Sequence, residues 1–287
     1  PGLLQRASSA EWTGLIQALG GWIERPAEQP VTLAGETFFL PAEKPAIAQN
    51  LTGVFAVPAA EPCAFAGSAL SPVLCTAFAD PGEVTADREL LAGPLGSLWS
   101  AFRLETGWMA GADGPISRGD GRAAAQTMRD VAGLLASGQA VFCRAFTGQL
   151  LPYLSGEDAA RLVLIPLKYP FDETDLGPNA AFTLEQLANQ PVVGTAGWLA
   201  IPESAGEDAR ARAEGFLLWL FASDEGRQAL ADTMGLLGIA GGGTGSPVLR
   251  EVADALGAGR ALPDLAEGFG YGAQLLASEA LVRDWLP

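Results

Sequence analysis

The chain contains no histidine. That absence removes Ser-His-Asp and Cys-His nucleophilic catalysis, together with the commonest transition-metal ligand. An enzyme built on this sequence has carboxylates, lysine and tyrosine to work with. Cysteine is scarce as well: Cys63, Cys75 and Cys143 have no metal-ligand spacing, and three is an odd number. Cys63 and Cys75 can pair in an exported protein, and all three read equally as buried free thiols. Positive charge is also short, with 17 Lys and Arg against 33 Asp and Glu and a net charge of −16. Such a surface repels phosphate backbones and anionic lipid, which argues against nucleic-acid and membrane-surface binding. No apolar run reaches 18 residues, so no transmembrane helix is expected. No initiator Met and no signal peptide are visible at Pro1, and the expectation is a processed or trimmed chain whose export signal lies outside it.

Hydrophobic residues make up 49% of the 287, enough for one large core or two lobes without small-protein staples. Ser8 with Glu11 forms a capping-box pattern, and Trp12, Leu15, Ile16, Leu19 and Ile23 follow at helical spacing. Trp12 and Trp22 on that helix read as core. Pro26 and Pro30 end it, and a hairpin is expected for 31–33 and 37–40 around Ala34-Gly35-Glu36. LTGVFAV at 51–57 reads as a strand, 73–78 as either strand or helix, and 90–106 as a helix bearing Leu91, Leu95, Leu98 and Phe102. Trp108, in the glycine-flanked loop after it, reads as a ligand platform or as core. Ala124, Met128, Val131 and Leu135 mark another helix, closed by Ser137-Gly138. The strand AVFCRAF at 140–146 carries one charge, Arg144, to be paired with a core carboxylate or turned into a cleft. Thr183 with Gln186 is a further capping box. The glycine cluster 241–245 lacks the Gly-Lys-Ser/Thr of a phosphate loop and reads as a flexible loop, before a helix capped by Ser246-Pro247 with Val248, Val252 and Leu256 on its face. Phe269 and Tyr271 stand among glycines near the C-terminal end.

The most legible stretch runs from Pro191 to Leu237. A glycine-punctuated apolar run, 192–201, leads through Trp198 and Ile201-Pro202 into an acidic loop. A helix bearing Ala209, Ala213, Phe216, Leu217 and Leu220 follows. Ser223 then caps a second helix with Leu230 and Met234 inward and Gly235 at its end. This order, with Leu220-Phe221-Ala222-Ser223-Asp224-Glu225-Gly226, resembles the C-terminal half of extracellular solute-binding proteins of ABC importers, the sugar-binding type. The likeness extends over about residues 115–240. It includes Leu162–Pro166 as a strand, and places Thr147-Gly148-Gln149 where the family often has a Gly-Pro-Trp-like turn, so a stacking Trp is missing there.

The resemblance implies an α/β fold of the two-lobed, type II periplasmic-binding-protein-like architecture. Its opening strand–helix–strand unit is not found before Ser8, so either that part lies outside this chain or the first lobe is reduced. The implied organisation is 1–106 as a partial lobe, 107–190 as a second-lobe segment, 191–240 as hinge strand and packing helices, and 241–287 as closing helices. The implied function is capture of a sugar or oligosaccharide between lobes, hinge closure and delivery to an ABC permease, by a monomer at the cell surface or in the periplasm, tethered through a lost N-terminal signal, with no catalysis, cofactor or metal. Sugar sites combine flat apolar faces with a few fixed hydrogen-bonding groups. On that basis the ligand-binding candidates are Trp198, Trp108, Arg144, Phe146, Thr147 and Tyr271. Two other readings stand beside it. One is a non-catalytic interaction module on the same fold. The other is a carboxylate-based glycosidase drawing on Glu105, Asp113, Asp120 or Asp172.

Overall fold

Ser8 starts the first long helix as its sequence pattern predicts. In the computed structural model, which describes residues 2–85, 87–116, 121–122, 125–166, 168–195, 199–238 and 246–266 with the side chains of 62–68 and 88 left aside, a short helix α1 (Gly2–Arg6) leads into α2 (Ser9–Glu24). The Ser8 hydroxyl accepts from the Glu11 N–H, and the Glu11 carboxylate accepts from the Ser8 N–H at 2.9 Å. The other Glu11 oxygen accepts from Gly35 N–H in the turn between β1 (Gln29–Leu33) and β2 (Glu36–Leu40). These backbone donors, Ser8 first and Gly35 second, hold the Glu11 pKa below its ordinary value. The hairpin turn has positive φ at both Ala34 and Gly35, which suits the twist of the flanking strands. β1 buries Val31 and Leu33 against α2, while β2 is mostly exposed.

The central β structure is smaller than the sequence suggests. Of 51–57 and 140–146, only β3 (Phe55–Ala56) and β4 (Phe142–Cys143) pair, in parallel. The neighbouring backbone groups are satisfied by irregular segments. Val54 and Phe55 N–H donate to Trp108 O, Thr52 and Gly53 N–H to Gln139 O, and Ala110 N–H to Phe55 O. Gly53 is needed for this crossing, since a Cβ there would lie 2.4 Å from Ala110 N. The expected strand at 162–166 is irregular, with no sheet partner among the described residues.

The ambiguous stretch around 73–75 is helical, ending α3 (Pro62–Cys75), and α4 (Arg88–Thr106) packs against it. Asp87 caps α4 by accepting from Glu89 and Leu90 N–H. Leu91, Leu98 and Phe102 are buried, whereas Leu95, expected on the same face, is exposed. Three further helices, α5 (Met128–Ala136), α6 (Thr147–Leu150) and α7 (Gly156–Ala160), are followed by α8 (Leu184–Asn189), which has the Thr183–Gln186 capping box read from sequence.

The apolar run at 192–201 is not a long buried strand. β5 (Val192–Val193) is two residues, half-buried, and Leu199 is exposed. β5 pairs in parallel with β6 (Leu262–Pro263) and lies against α3. Beyond it, α9 (Glu207–Ala222) and α10 (Asp224–Met234) form an αα-hairpin with Ser223 as the α10 cap, its hydroxyl accepting from Gly226 N–H and donating to the Trp219 carbonyl at 2.7 Å, and with Gly235 in the left-handed conformation at the end. α11 (Pro247–Gly257) begins at Ser246-Pro247 as expected, yet buries Val248, Leu249 and Ala255 and leaves Leu256 exposed. The glycine cluster 241–245 lies outside the described residues.

The chain is thus mixed α/β, with helices predominant and β structure limited, among the described residues, to three two-stranded sheets and isolated bridges from Met109 to Phe55 and Ile116. Its largest apolar cluster joins α2, the hairpin, α3, α4, β3 and β6. Smaller clusters gather around α5 and between α10 and α11.

Candidate functional site

An open cleft of about 870 Å³ lies between α2 and α4, within the size range of small-molecule sites. Two tryptophans line it. Trp12 comes from the inner face of α2, where its ring packs against Phe142 at 4.9 Å and Phe55 at 6.4 Å. Trp108 comes from the turn that ends α4. Its carbonyl is fixed by the N–H groups of Val54 and Phe55, and its ring lies directly on Gly20 of α2. A Cβ at Gly20 would sit 2.1 Å from that ring, so glycine is required for the tryptophan to take this seat. Trp108 is half-buried and also walls a second cavity of about 200 Å³ on its other side.

Polar groups complete the lining. Ser97 Oγ donates to Asp175 Oδ2 at 3.0 Å, and Ser100 Oγ donates to Gly96 O. Gln17 and Arg103 are exposed on the two walls. Lys168 is buried, and its ammonium donates to Gln5 O at 2.8 Å and Asn189 Oδ1 at 2.7 Å. Burial lowers its pKa to about 8. Glu105 forms the cleft's one lining carboxylate, and Arg144 engages both of its oxygens, through Nε at 3.3 Å and through Nη2. Arg144 Nη1 also donates to the Tyr169 hydroxyl, which donates onward to Ala69 O. Burial alone would lower the Arg144 pKa, but Glu105 and then Tyr169 overcome it and raise it. Burial likewise raises the Tyr169 pKa against the opposing pull of Arg144.

The residues expected to bind ligand fall in different places. Trp108 lines the cleft. Of the two roles open to Arg144, the structure shows the pairing with a core carboxylate, and its guanidinium lies behind the cleft wall over the Phe102 and Tyr169 rings. Phe146 and Thr147 sit at the start of α6, where the Thr147 carbonyl crowds Gly235 at the end of α10, away from the cleft. Trp198 and Tyr271 lie outside the described residues, as does Asp120. Among the other carboxylates, Asp113 is exposed and Asp172 caps a single 3-10 turn, its pKa lowered by the Thr174 hydroxyl and N–H. Cys75 and Cys143 are free thiols pushed up to about 12 by burial, chemically quiet at neutral pH.

Trp12 is in the core as its helical spacing predicts, 8% exposed, and touches the cleft from there, while no sequence pattern points to Arg103 or Ser97. One signal for Lys168 was present: it is one of only two lysines and interrupts the apolar run LVLIPLKYP. Among the described residues no group of three His, Cys, Asp or Glu is placed to hold a metal ion, and no helix is long and apolar enough to cross a membrane. Comparisons of the chain with protein-family models, curated proteins and solved structures return no match. The chemistry available in the cleft is stacking, hydrogen bonding and charge recognition.

Proposed function

We propose that the chain is an extracellular solute-binding protein that holds a carbohydrate in the α2–α4 cleft for delivery to an ABC permease. The observation that carries this reading is the half-buried Trp108, set with hydroxyl, amide and cationic groups around one open cleft to which the buried Trp12 contributes from the core. Indole faces pack on the C–H faces of sugar rings, and the polar groups fix the hydroxyls. Glu105, the one carboxylate in the lining, is neutralised by Arg144, which argues for binding over carboxylate-pair hydrolysis. The two-lobed, hinge-closing form and a monomeric state complete the proposal. A non-catalytic interaction module is the second reading. It is favoured by one observation, the exposure of Phe216, Leu218 and Trp219 on α9.

The test is a thermal-shift screen of mono- and oligosaccharides, followed by calorimetry, on the wild type and on Gly96→Phe. Gly96 lines the cleft and a Cβ there meets no atom within 4 Å, so a side chain at this position starts in open space and the phenylalanine is expected to occupy part of the cleft. A sugar that raises Tm by mass action in the wild type and not in Gly96→Phe supports the proposal. Absence of any sugar response in the wild type contradicts it and favours the interaction module.

A further inference from the structure

The chain as a whole carries sixteen excess negative charges, yet the charges uncompensated within the cleft are positive. Lys168 is buried to more than nine-tenths and lines the cleft, held by two neutral oxygens. An ammonium has three N–H donors, and Gln5 O and Asn189 Oδ1 take two of them. Arg103, on α4, lines the same cleft and is exposed. Among the described residues no carboxylate lies within ion-pair distance of either cation. Glu105 belongs to Arg144. The remaining negative group is Asp175, seated behind Gly93 and Ser97, where it accepts from the Ser97 hydroxyl and the Asp172 N–H. Lys168 and Arg103 set against Asp175 leave the cleft one positive charge in excess.

We infer that the cleft selects a carbohydrate bearing a single carboxylate, a uronic acid or an oligosaccharide containing one, with that carboxylate seated between Lys168 and Arg103. The inference rests on the carbohydrate reading of the same cleft and names its substrate class. A buried ammonium without a counter-ion is costly to keep charged, and a ligand carboxylate supplies the missing partner in the desolvated site. Arg103, at the mouth, adds charge-assisted hydrogen bonds and draws anions in against the repulsion of an acidic surface. Trp108, half-buried on the cleft wall, then receives the ring that carries the carboxylate.

Calorimetric titrations with D-glucuronate, D-galacturonate and their short oligomers, against glucose, galactose and the matching neutral oligomers, test it. Arg103→Gln changes an exposed side chain and Lys168→Met a buried one, so the first keeps the comparison interpretable if the second unfolds. The expected result is at least tenfold tighter binding of the acidic sugars, weakening as salt is added. Each variant reduces that preference about tenfold, read as the ratio of acidic to neutral affinity within the same variant. Neutral sugars binding as tightly as acidic ones overturn the inference and leave the carbohydrate reading standing. Acetate and succinate binding as tightly as the uronates, with no response to neutral sugars, overturn the carbohydrate reading and keep the carboxylate seat. Binding of none of these probes overturns both.

Discussion

The α2–α4 wall and the α9–α10 hairpin are both helix pairs with clear caps, and they are packed in opposite ways. α2 buries Trp12, Leu15, Ile16, Trp22 and Ile23, and α4 buries Leu91, Leu98 and Phe102, all in the largest apolar cluster. α9 has no buried residue, and its substantial packing is against α10 alone. Phe216, expected on its inner face, is 55% exposed, and Met234 at the end of α10 is 49% exposed. Gly226 fits tightly between the two helices, beneath the Trp219 carbonyl, and of α10 Leu230 and Ala231 are buried as well. Caps and periodicity are therefore local properties shared by both pairs, while burial is decided by what the rest of the chain brings against them. The segment that carries the family resemblance belongs to the loosely packed pair, and the cleft belongs to the other.

Substitutions separate the two regions. Arg144→Met leaves the Glu105 carboxylate buried without a cation and is expected to cost about 3–5 kcal/mol in urea denaturation. Adding Glu105→Leu to it should restore much of that loss, because the pair as a whole is worth less than either orphan costs. Leu98→Ala, in the α4 face, is expected to cost about 2–5 kcal/mol through the cavity it leaves. Leu218→Ala, 68% exposed on α9, should change stability by no more than about 0.5 kcal/mol. Equal losses at the two leucines would show α9 to be covered in solution.

A pH-linked effect follows from Lys168. Its folded pKa is about 8 against an ordinary 10.5, so below pH 8 both states are charged and the burial penalty is fully present. Between about 8 and 10.5 the unfolded chain holds more protons, and this lysine's contribution to stability rises with pH. The two thiols and Tyr169, whose pKa values are raised on folding, lose stability over the alkaline range. The effect is therefore read as the difference between wild type and Lys168→Met across pH 7–11, measured by chemical denaturation. A difference that does not change with pH would mean that Lys168 is solvated.

Local grammar made part of this fold legible. The capping boxes at Ser8–Glu11 and Thr183–Gln186, the hairpin turn at Ala34-Gly35 and the left-handed Gly235 are each fixed by residues within a few positions of one another. The cleft was not legible, because it joins Trp12, Trp108 and Lys168 from three distant stretches. The Arg144–Glu105 pair spans 39 positions, and only the suspicion of a core partner for Arg144 was available from sequence. The apolar residues of 51–57 are buried and met mainly by loop backbone instead of a ladder, so burial alone imitates a longer strand, and of the described part of 192–201 only Val192 and Val193 find a partner strand while Leu199 is exposed. The apolar face on α9 has a helical period whether or not anything covers it.

The most direct measurement is a set of indole N–H spectra of the seven tryptophans, assigned by single substitution, recorded as the best-bound sugar is titrated in. Ligand seated in the α2–α4 cleft predicts that the Trp12 and Trp108 resonances move with saturation while Trp219 on α9 stays still. Movement confined to Trp198 or Trp219, with Trp108 unchanged, would place the ligand outside the cleft and contradict it.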